Sequence, residues 1–140
     1  MPSYKLITGI NIQWPWSEHI VSGKKIVETR SYRLPEKLKN IELAIIETPG
    51  KHGKKLGGIS KARIIGTVVF ENSFKYKTKT EWLRDSARHL VEPDDLQFRF
   101  SPGKEKWGWV VKSVSRLDKA VPPPAKRGIR LANNCKVPSV

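Results

Sequence analysis

The chain has 140 residues, with 27 Lys and Arg against 13 Asp and Glu, which gives a formal net charge of +14 at pH 7. This length suits one domain that buries its own core without disulfides or metal. The longest apolar runs are far shorter than the roughly 20 residues of a membrane-spanning helix, so we predict no membrane association. Solubility needs a net charge of only about 2 to 8, and the excess therefore favours a polyanionic partner such as nucleic acid.

The single cysteine, Cys135, has no partner within the chain. This argues against a disulfide framework and favours a reducing compartment. We therefore predict a cytoplasmic protein, and we also predict a monomer.

The segment 12–30 begins with a strand end and a short helix. Pro15 suits the first position of a helix, and Gly23 suits the left-handed residue just past its end. Trp14 precedes a proline and is therefore expected to be extended, so that the indoles of Trp14 and Trp16 can flank a common hollow.

A charged strand is predicted directly after that helix. Its period of two places Glu28 and Arg30 on one face. With Lys25, three charges fall within six residues, which is costly in a mostly apolar domain unless they are exposed, paired or functional. We predict that these three charges form a functional site, with Trp16 beside them. The alternative is a surface ion pair of Glu28 with Arg30 or Lys24.

The middle of the chain predicts two strands on either side of a basic loop. Residues 41–47 and 63–71 are rich in aliphatic side chains, and Gly66 indicates a bulge or a close approach of another backbone. Residues 50–58 are rich in glycine and lysine without matching a P-loop, so they are either a solvated loop or a contact to a nucleic-acid backbone. The lysines proposed for that contact are Lys54 and Lys55.

A helix and a hairpin are predicted next. Thr78 and Glu81 form a capping box, and the helix they begin is expected to end before Pro93. Residues 96–100 alternate between apolar and polar side chains, and with a long strand over 106–115 they predict a hairpin. The apolar stripe of the helix is expected to be Leu83, Ala87, Leu90 and Val91.

Four tryptophans are candidates for stacking on unpaired bases, with core packing as the alternative for each. Those near the end of the chain, Trp107 and Trp109, project from one strand face and should be buried or available together. The potential metal ligands have no ligand spacing, so we predict neither metal nor cofactor. These potential ligands are His19, His52, His89 and Cys135.

Two motifs resemble the ASCH (activating signal cointegrator homology) family of the PUA-like superfamily. The first is Ile12-x-x-Pro-Trp followed by Ser22-Gly-x-Lys-x-x-Glu-x-Arg30, and the second is Trp107-Gly-Trp-Val-Val111. With the strand 64–70 between them, the resemblance covers roughly residues 7 to 132. It implies an α+β fold, a small mixed PUA-like β-barrel with two or three short helices. We predict a single domain over 1–140, with a basic proline-containing tail from about 121 that includes Lys126 and Arg127.

The resemblance also implies a cleft that faces a nucleic acid or a nucleoside. Some ASCH-like proteins remove the acetyl group of N4-acetylcytidine with a lysine, a threonine and a glutamate. Lys25 matches the lysine, Glu28 stands at the threonine position, and Glu81 is the candidate for the carboxylate. Other members are linked to RNA binding, RNA cleavage or coactivation.

We therefore predict an RNA- or other nucleic-acid-binding domain whose cleft takes an unstacked or modified nucleotide. One alternative is a hydrolase acting on RNA or a modified nucleoside, with Lys25 and Glu28 as catalytic residues. Another is a coactivator-like protein-interaction module. The predicted nucleic-acid-binding residues are Trp14, Trp16, Lys24, Lys25, Arg30, Lys54, Lys55, Trp107 and Trp109.

Overall fold

The computed structural model describes residues 3–125, 128 and 130–139, and only the backbone of His52. The strands are β1 (Tyr4–Gln13), β2 (Val27–Arg30), β3 (Glu42–Thr48), β4 (Arg63–Lys75), β5 (Trp107–Val121) and β6 (Leu131–Pro138). The helices are α1 (Trp16–Val21), α2 (Gly50–Lys55), α3 (Lys79–Arg84) and α4 (Ser86–His89), with a single 3-10 turn at Glu36–Leu38. The predicted α+β class is confirmed. Lys126 and Arg127 lie outside the described residues.

All six strands belong to one sheet, in the order β2-β5-β4-β3-β1-β6. β1 and β3 are parallel, and the other four pairings are antiparallel. The edge strands β2 and β6 do not pair with each other in the part of the chain that is described, so the sheet is not closed. The predicted barrel is therefore not confirmed, and the described chain has four short helices rather than two or three.

β3 is buried on both faces, which explains its continuous aliphatic run. Leu43 and Ile45 enter the core cluster beneath α1, whereas Ala44 and Ile46 enter a second cluster on the opposite face. The second cluster also contains Cys135 of β6, where burial raises the pKa of the thiol. Both layers of core are therefore anchored on one strand. No helix of the described chain is both long and apolar enough to cross a membrane.

Two predicted glycine roles are confirmed. Gly23 follows the C-cap of α1 with φ of +85°. At Gly66 the pairing of β4 with β5 shifts register. A Cβ at this position would lie 2.4 Å from the backbone oxygen of Ser115 and 2.6 Å from a methyl of Val21. The prediction for Pro15 differs by one residue, because α1 begins at Trp16 after a cis Trp14–Pro15 peptide bond.

The single predicted helix before Pro93 is instead two short helices. Thr78 does cap α3, since its hydroxyl accepts the backbone N–H of Glu81 at 3.1 Å. The predicted apolar stripe is only partly correct: Val91 is buried, but Leu83 and Ala87 are exposed, and the buried ring of Trp82 stacks on that of His89 at 4.5 Å. Large rings remove much surface from water, and here Trp82 and His89 rather than Leu83 face the core.

The predicted hairpin strand over 96–100 is also wrong, because these residues form turns. The carboxylate of Asp95 accepts the backbone N–H groups of Gln97 at 2.9 Å and Phe98 at 2.8 Å. This side chain supplies the partner that a strand ladder would otherwise provide. Phe98 and Phe100 pack against a small cluster formed by Tyr76, Trp82 and Val91 rather than inside a barrel.

The basic segment over 50–58 and the C-terminal tail are more regular than predicted. Residues 50–55 form α2, and residues 131–138 form β6, which pairs with β1. β6 is held by backbone pairing with β1 and by Ala132, Cys135 and Val137, which enter the second core cluster.

Candidate functional site

A cavity of about 930 Å³, which we call the large cavity, is bordered by β1, α1, β2 and the loop before β5. This volume lies within the range of about 300 to 1,000 Å³ typical of small-molecule sites. The charged residues on its described wall comprise four cations and one carboxylate, and they come from distant parts of the chain. They are Lys25, Glu28, Arg30, Lys106 and Arg130.

Lys25 is a buried cation at the base of this wall. Its side chain is 1% exposed, and its Nζ donates a hydrogen bond to the backbone oxygen of His89. Glu28 Oε1 lies 3.7 Å from the same nitrogen. Burial lowers the pKa of Lys25 to about 8, against the opposing attraction of Glu28. Near neutral pH this lysine is therefore mostly charged, with a minor uncharged fraction.

Glu28 joins Lys25 to Arg30. Its Oε2 lies 3.0 Å from Nη2 of Arg30, and that nitrogen also donates to the backbone oxygen of Asn11 at 2.7 Å. The guanidinium lies 5.6 Å from the ring centroid of Trp109. The ion pair anticipated as the alternative is thus present, but it is buried, since Glu28 is only 6% exposed. Partly desolvated charges interact more strongly than a surface pair.

His89 holds the carbonyl group that receives Lys25. Its Nδ1 accepts the backbone N–H of Val91 at 3.0 Å, and its Nε2 lies 2.8 Å from the backbone oxygen of Trp82. Both ring nitrogens are therefore hydrogen-bonded when the ring is neutral and Nε2 carries the proton. Burial lowers the pKa of His89, which favours this neutral form. The histidine positions the lysine and has no free nitrogen for a metal.

Aromatic side chains form the less polar wall of the large cavity. Trp16 and Phe98 meet edge to face with ring centroids 4.8 Å apart. Tyr32 borders the cavity beneath Arg130, whose guanidinium lies 4.3 Å from the tyrosine ring. These rings offer apolar surface beside the charged groups.

Trp14 does not line the large cavity, so the predicted hollow between Trp14 and Trp16 is not formed there. The Trp14 ring instead covers Gly57, where an added Cβ would lie 3.0 Å from the indole. The chain enters α1 at Pro15, and the two indoles consequently project to different neighbours. A nucleic-acid role for Trp14 stays a prediction.

Trp107 and Trp109 also lie outside the lining of the large cavity. Trp109 is 0% exposed, and its Nε1 donates to the backbone oxygen of Tyr32 at 2.9 Å. Trp107 is half-buried against the same core, and its Nε1 donates to Glu105 at 3.3 Å. These contacts favour the core-packing alternative for Trp109, which supports Arg30 from below.

The predicted basic residues are dispersed. Lys24 is exposed and does not line the large cavity, in contrast to its neighbour Lys25. Lys54 borders a second cavity, and Lys55 is exposed at the end of α2. Glu81, the candidate for a third carboxylate, is exposed and accepts the backbone N–H of Lys77 at 2.8 Å, so it is not part of the cavity wall.

Several residues that line the large cavity are absent from the site predicted from the sequence. Lys106 donates to the backbone oxygen of Phe98 at 2.8 Å, and burial lowers the pKa of Lys106. Tyr32 continues the period of two set by Glu28 and Arg30, and this alternation could have identified it. No comparable local signal marks Lys106 or Arg130. Among the described residues, no group of three or more His, Cys, Asp or Glu side chains could hold a metal ion.

The buried lysine predicts an unusual dependence of stability on pH. Lys25 has an ordinary pKa of 10.5 and a folded pKa of about 8, so between these values the unfolded chain binds more protons. Stability contributed by this group therefore rises with pH across that window. Relative to Lys25→Met, the unmodified protein should gain about 2 kcal/mol in free energy of unfolding from about pH 8 to pH 10. Urea unfolding of both proteins across this range tests this, and parallel curves would contradict it.

The fold of the chain is similar to that of solved structures. No family model matches the sequence, and no curated protein matches it. The crystal structure of ASCH from Zymomonas mobilis superposes with a TM-score of 0.61 at 18% identity, covering 82% of this chain and 72% of that one. A serine-to-alanine variant of the same protein gives a TM-score of 0.65 at 16% identity, with 90% and 86% covered. The chain therefore has the fold of these ASCH structures.

Proposed function

We propose that the chain binds single-stranded nucleic acid, RNA above all, and that the large cavity receives one unstacked nucleotide. The observation that carries this proposal is the composition of the cavity wall, where four cations and one carboxylate lie beside exposed ring surface. Cations attract the phosphate, and aromatic rings provide a stacking surface for a base. The ASCH-like fold supports the proposal, because that family is generally linked to RNA binding.

Each residue of the large cavity is suited to a particular part of the nucleotide. Arg30 presents its guanidinium to a phosphate or to the carbonyl edge of a base, and the buried charge of Lys25 behind it adds to the attraction. Glu28 accepts a hydrogen bond from an exocyclic amino group while it holds Arg30 in place. Trp16 supplies the stacking surface, and its contact with Phe98 fixes its orientation.

Trp16→Leu is expected to weaken binding of short single-stranded RNA by about 5- to 150-fold, because stacking of one base on an aromatic ring contributes about 1 to 3 kcal/mol. Leucine keeps an apolar contact to Phe98 but offers no ring. Tryptophan fluorescence quenching would detect binding in the unmodified protein, and anisotropy of labelled RNA would compare the variants.

Trp14→Leu is the matched control, because it also removes one indole but does not touch the large cavity. Equal loss of affinity in both variants would contradict a stacking role specific to Trp16 in the large cavity. No binding by the unmodified protein at low salt would contradict the proposed function.

A hydrolase is the second candidate, favoured by the proximity of Lys25 to Glu28 and by the lowered pKa of the lysine, about 8. The uncharged amine would take a proton from water as the hydroxide adds to a carbonyl or phosphoryl centre, and Glu28 would shuttle that proton to the leaving group. An assay for release of acetate from N4-acetylcytidine or of fragments from RNA tests this. Turnover that survives in Lys25→Met would contradict it.

A further inference from the structure

A second cavity, which we call the small cavity, adjoins the large one. Its volume is about 560 Å³, and Thr48 and Ala125 line both cavities. The two spaces are therefore neighbours across the end of β3 and the segment after β5. A strand that extends beyond the large cavity past these two residues would reach the small cavity.

The small cavity differs chemically from the large one. It is bordered by Lys54 and Lys61, and Ser60 adds a hydroxyl group. Neither lysine forms an ion pair within the described part of the chain. The remaining wall is mainly proline, which offers rigid apolar faces and no backbone N–H. These prolines are Pro49, Pro122, Pro123 and Pro124.

This composition suits a sugar-phosphate backbone better than a base. Exposed lysines neutralise phosphates without reading base edges, whereas base recognition needs ring surfaces or paired donors and acceptors. The large cavity offers such rings and the small cavity does not. An acidic peptide would satisfy the lysines of the small cavity, but it would leave the aromatic wall beside Trp16 unused.

We propose that the small cavity is a backbone subsite, in which Lys54 and Lys61 hold the phosphates that adjoin the one nucleotide in the large cavity. This inference rests on the proposed function and adds a second binding site for the same strand. It requires affinity to grow with the length of the strand, because a single nucleotide leaves the small cavity empty.

The test compares an eight-nucleotide RNA and a DNA of the same sequence with a mononucleotide, by anisotropy or displacement, from about 50 to 200 mM salt. The double variant Lys54→Ala/Lys61→Ala should reduce the slope of log affinity against log salt by about 1.4, about 0.7 for each lost phosphate contact. Octamer binding at the lowest salt should weaken by about 10-fold or more. If the RNA octamer binds more tightly than the DNA octamer, the ribose 2′-hydroxyl also contributes to recognition.

Lys37→Ala/Lys112→Ala is the matched control, because it removes the same two charges from exposed positions that line neither cavity. Its salt slope should match that of the unmodified protein. Similar slopes in both double variants, or an octamer that binds no tighter than the mononucleotide, would overturn this inference and leave the proposed function intact. If the protein binds neither the mononucleotide nor the octamers, both this inference and the proposed function are contradicted. Displacement of the octamer by polyglutamate, with the same dependence on Lys54 and Lys61, would reassign the small cavity to an acidic protein.

Discussion

Replacement of Lys25 by methionine is expected to reduce affinity for single-stranded RNA by about 10- to 100-fold. The buried ammonium lies at the base of the cavity wall, and its charge attracts a phosphate over about 6 to 12 Å with about 1.4 to 2.8 kcal/mol at an effective dielectric constant of about 20. Methionine is similar in length, so the variant removes charge with little change in packing. Anisotropy with labelled RNA measures the loss, and any hydrolytic turnover should disappear in the same variant.

Lys24→Met is the control for this experiment, because it removes one positive charge at the adjacent but exposed position. Its affinity should fall by less than about threefold, as expected for a screened surface charge. If both variants bind RNA like the unmodified protein, Lys25 is a structural cation that serves only to neutralise Glu28.

Stability separates a binding defect from a folding defect. In Lys25→Met, Glu28 remains paired with Arg30 at 3.0 Å, so no carboxylate is left without a counterion. Burial lowers the pKa of Lys25 to about 8, so the charged amine is less stable in the fold than in water, and its removal offsets the donor that the backbone oxygen of His89 loses. We therefore expect the thermal midpoint at pH 7 to be unchanged or raised, which makes lost RNA binding attributable to the site.

Gly66→Ala is expected to destabilise the fold by about 3 kcal/mol, the largest stability effect that we predict for a single methyl group. The new Cβ would lie 2.4 Å from the backbone oxygen of Ser115 and 2.6 Å from a methyl of Val21. The first clash is with the backbone of β5 and the second is with a side chain of α1. The new methyl group can therefore be accommodated only if β4 moves away from β5 and α1. Urea unfolding measures the change in free energy.

Gly103→Ala is the companion variant, because a Cβ there meets nothing within 4 Å while φ is +82°. Its cost should be about 1 kcal/mol from backbone conformation alone. Gly66 has no positive φ, so its cost is steric, whereas Gly103→Ala measures the cost of backbone conformation at an unobstructed position. Equal costs would contradict the tight approach of β4 and β5 at that position.

The candidate site was only partly predictable from the sequence. The cluster of Lys25, Glu28 and Arg30 could be predicted because its members lie within six residues and their charge conflicts with an apolar domain. The shared hollow of Trp14 and Trp16 is not formed at the large cavity, because the Trp14 indole lies over Gly57 and the Trp16 indole packs against Phe98. Adjacency in sequence does not specify which neighbours a large ring will meet.

The sequence by itself determined features that depend on a few consecutive residues: the glycine stop at Gly23, the cap at Thr78 and the buried strand β3. Tertiary structure alone decided that Lys106 and Arg130 join Lys25 around one cavity, and that the turns at 96–100 replace a strand. Burial is set by residues far apart in the chain, so the lowered pKa of Lys25 and the identity of the cavity rings arise only when the sheet and helices pack together.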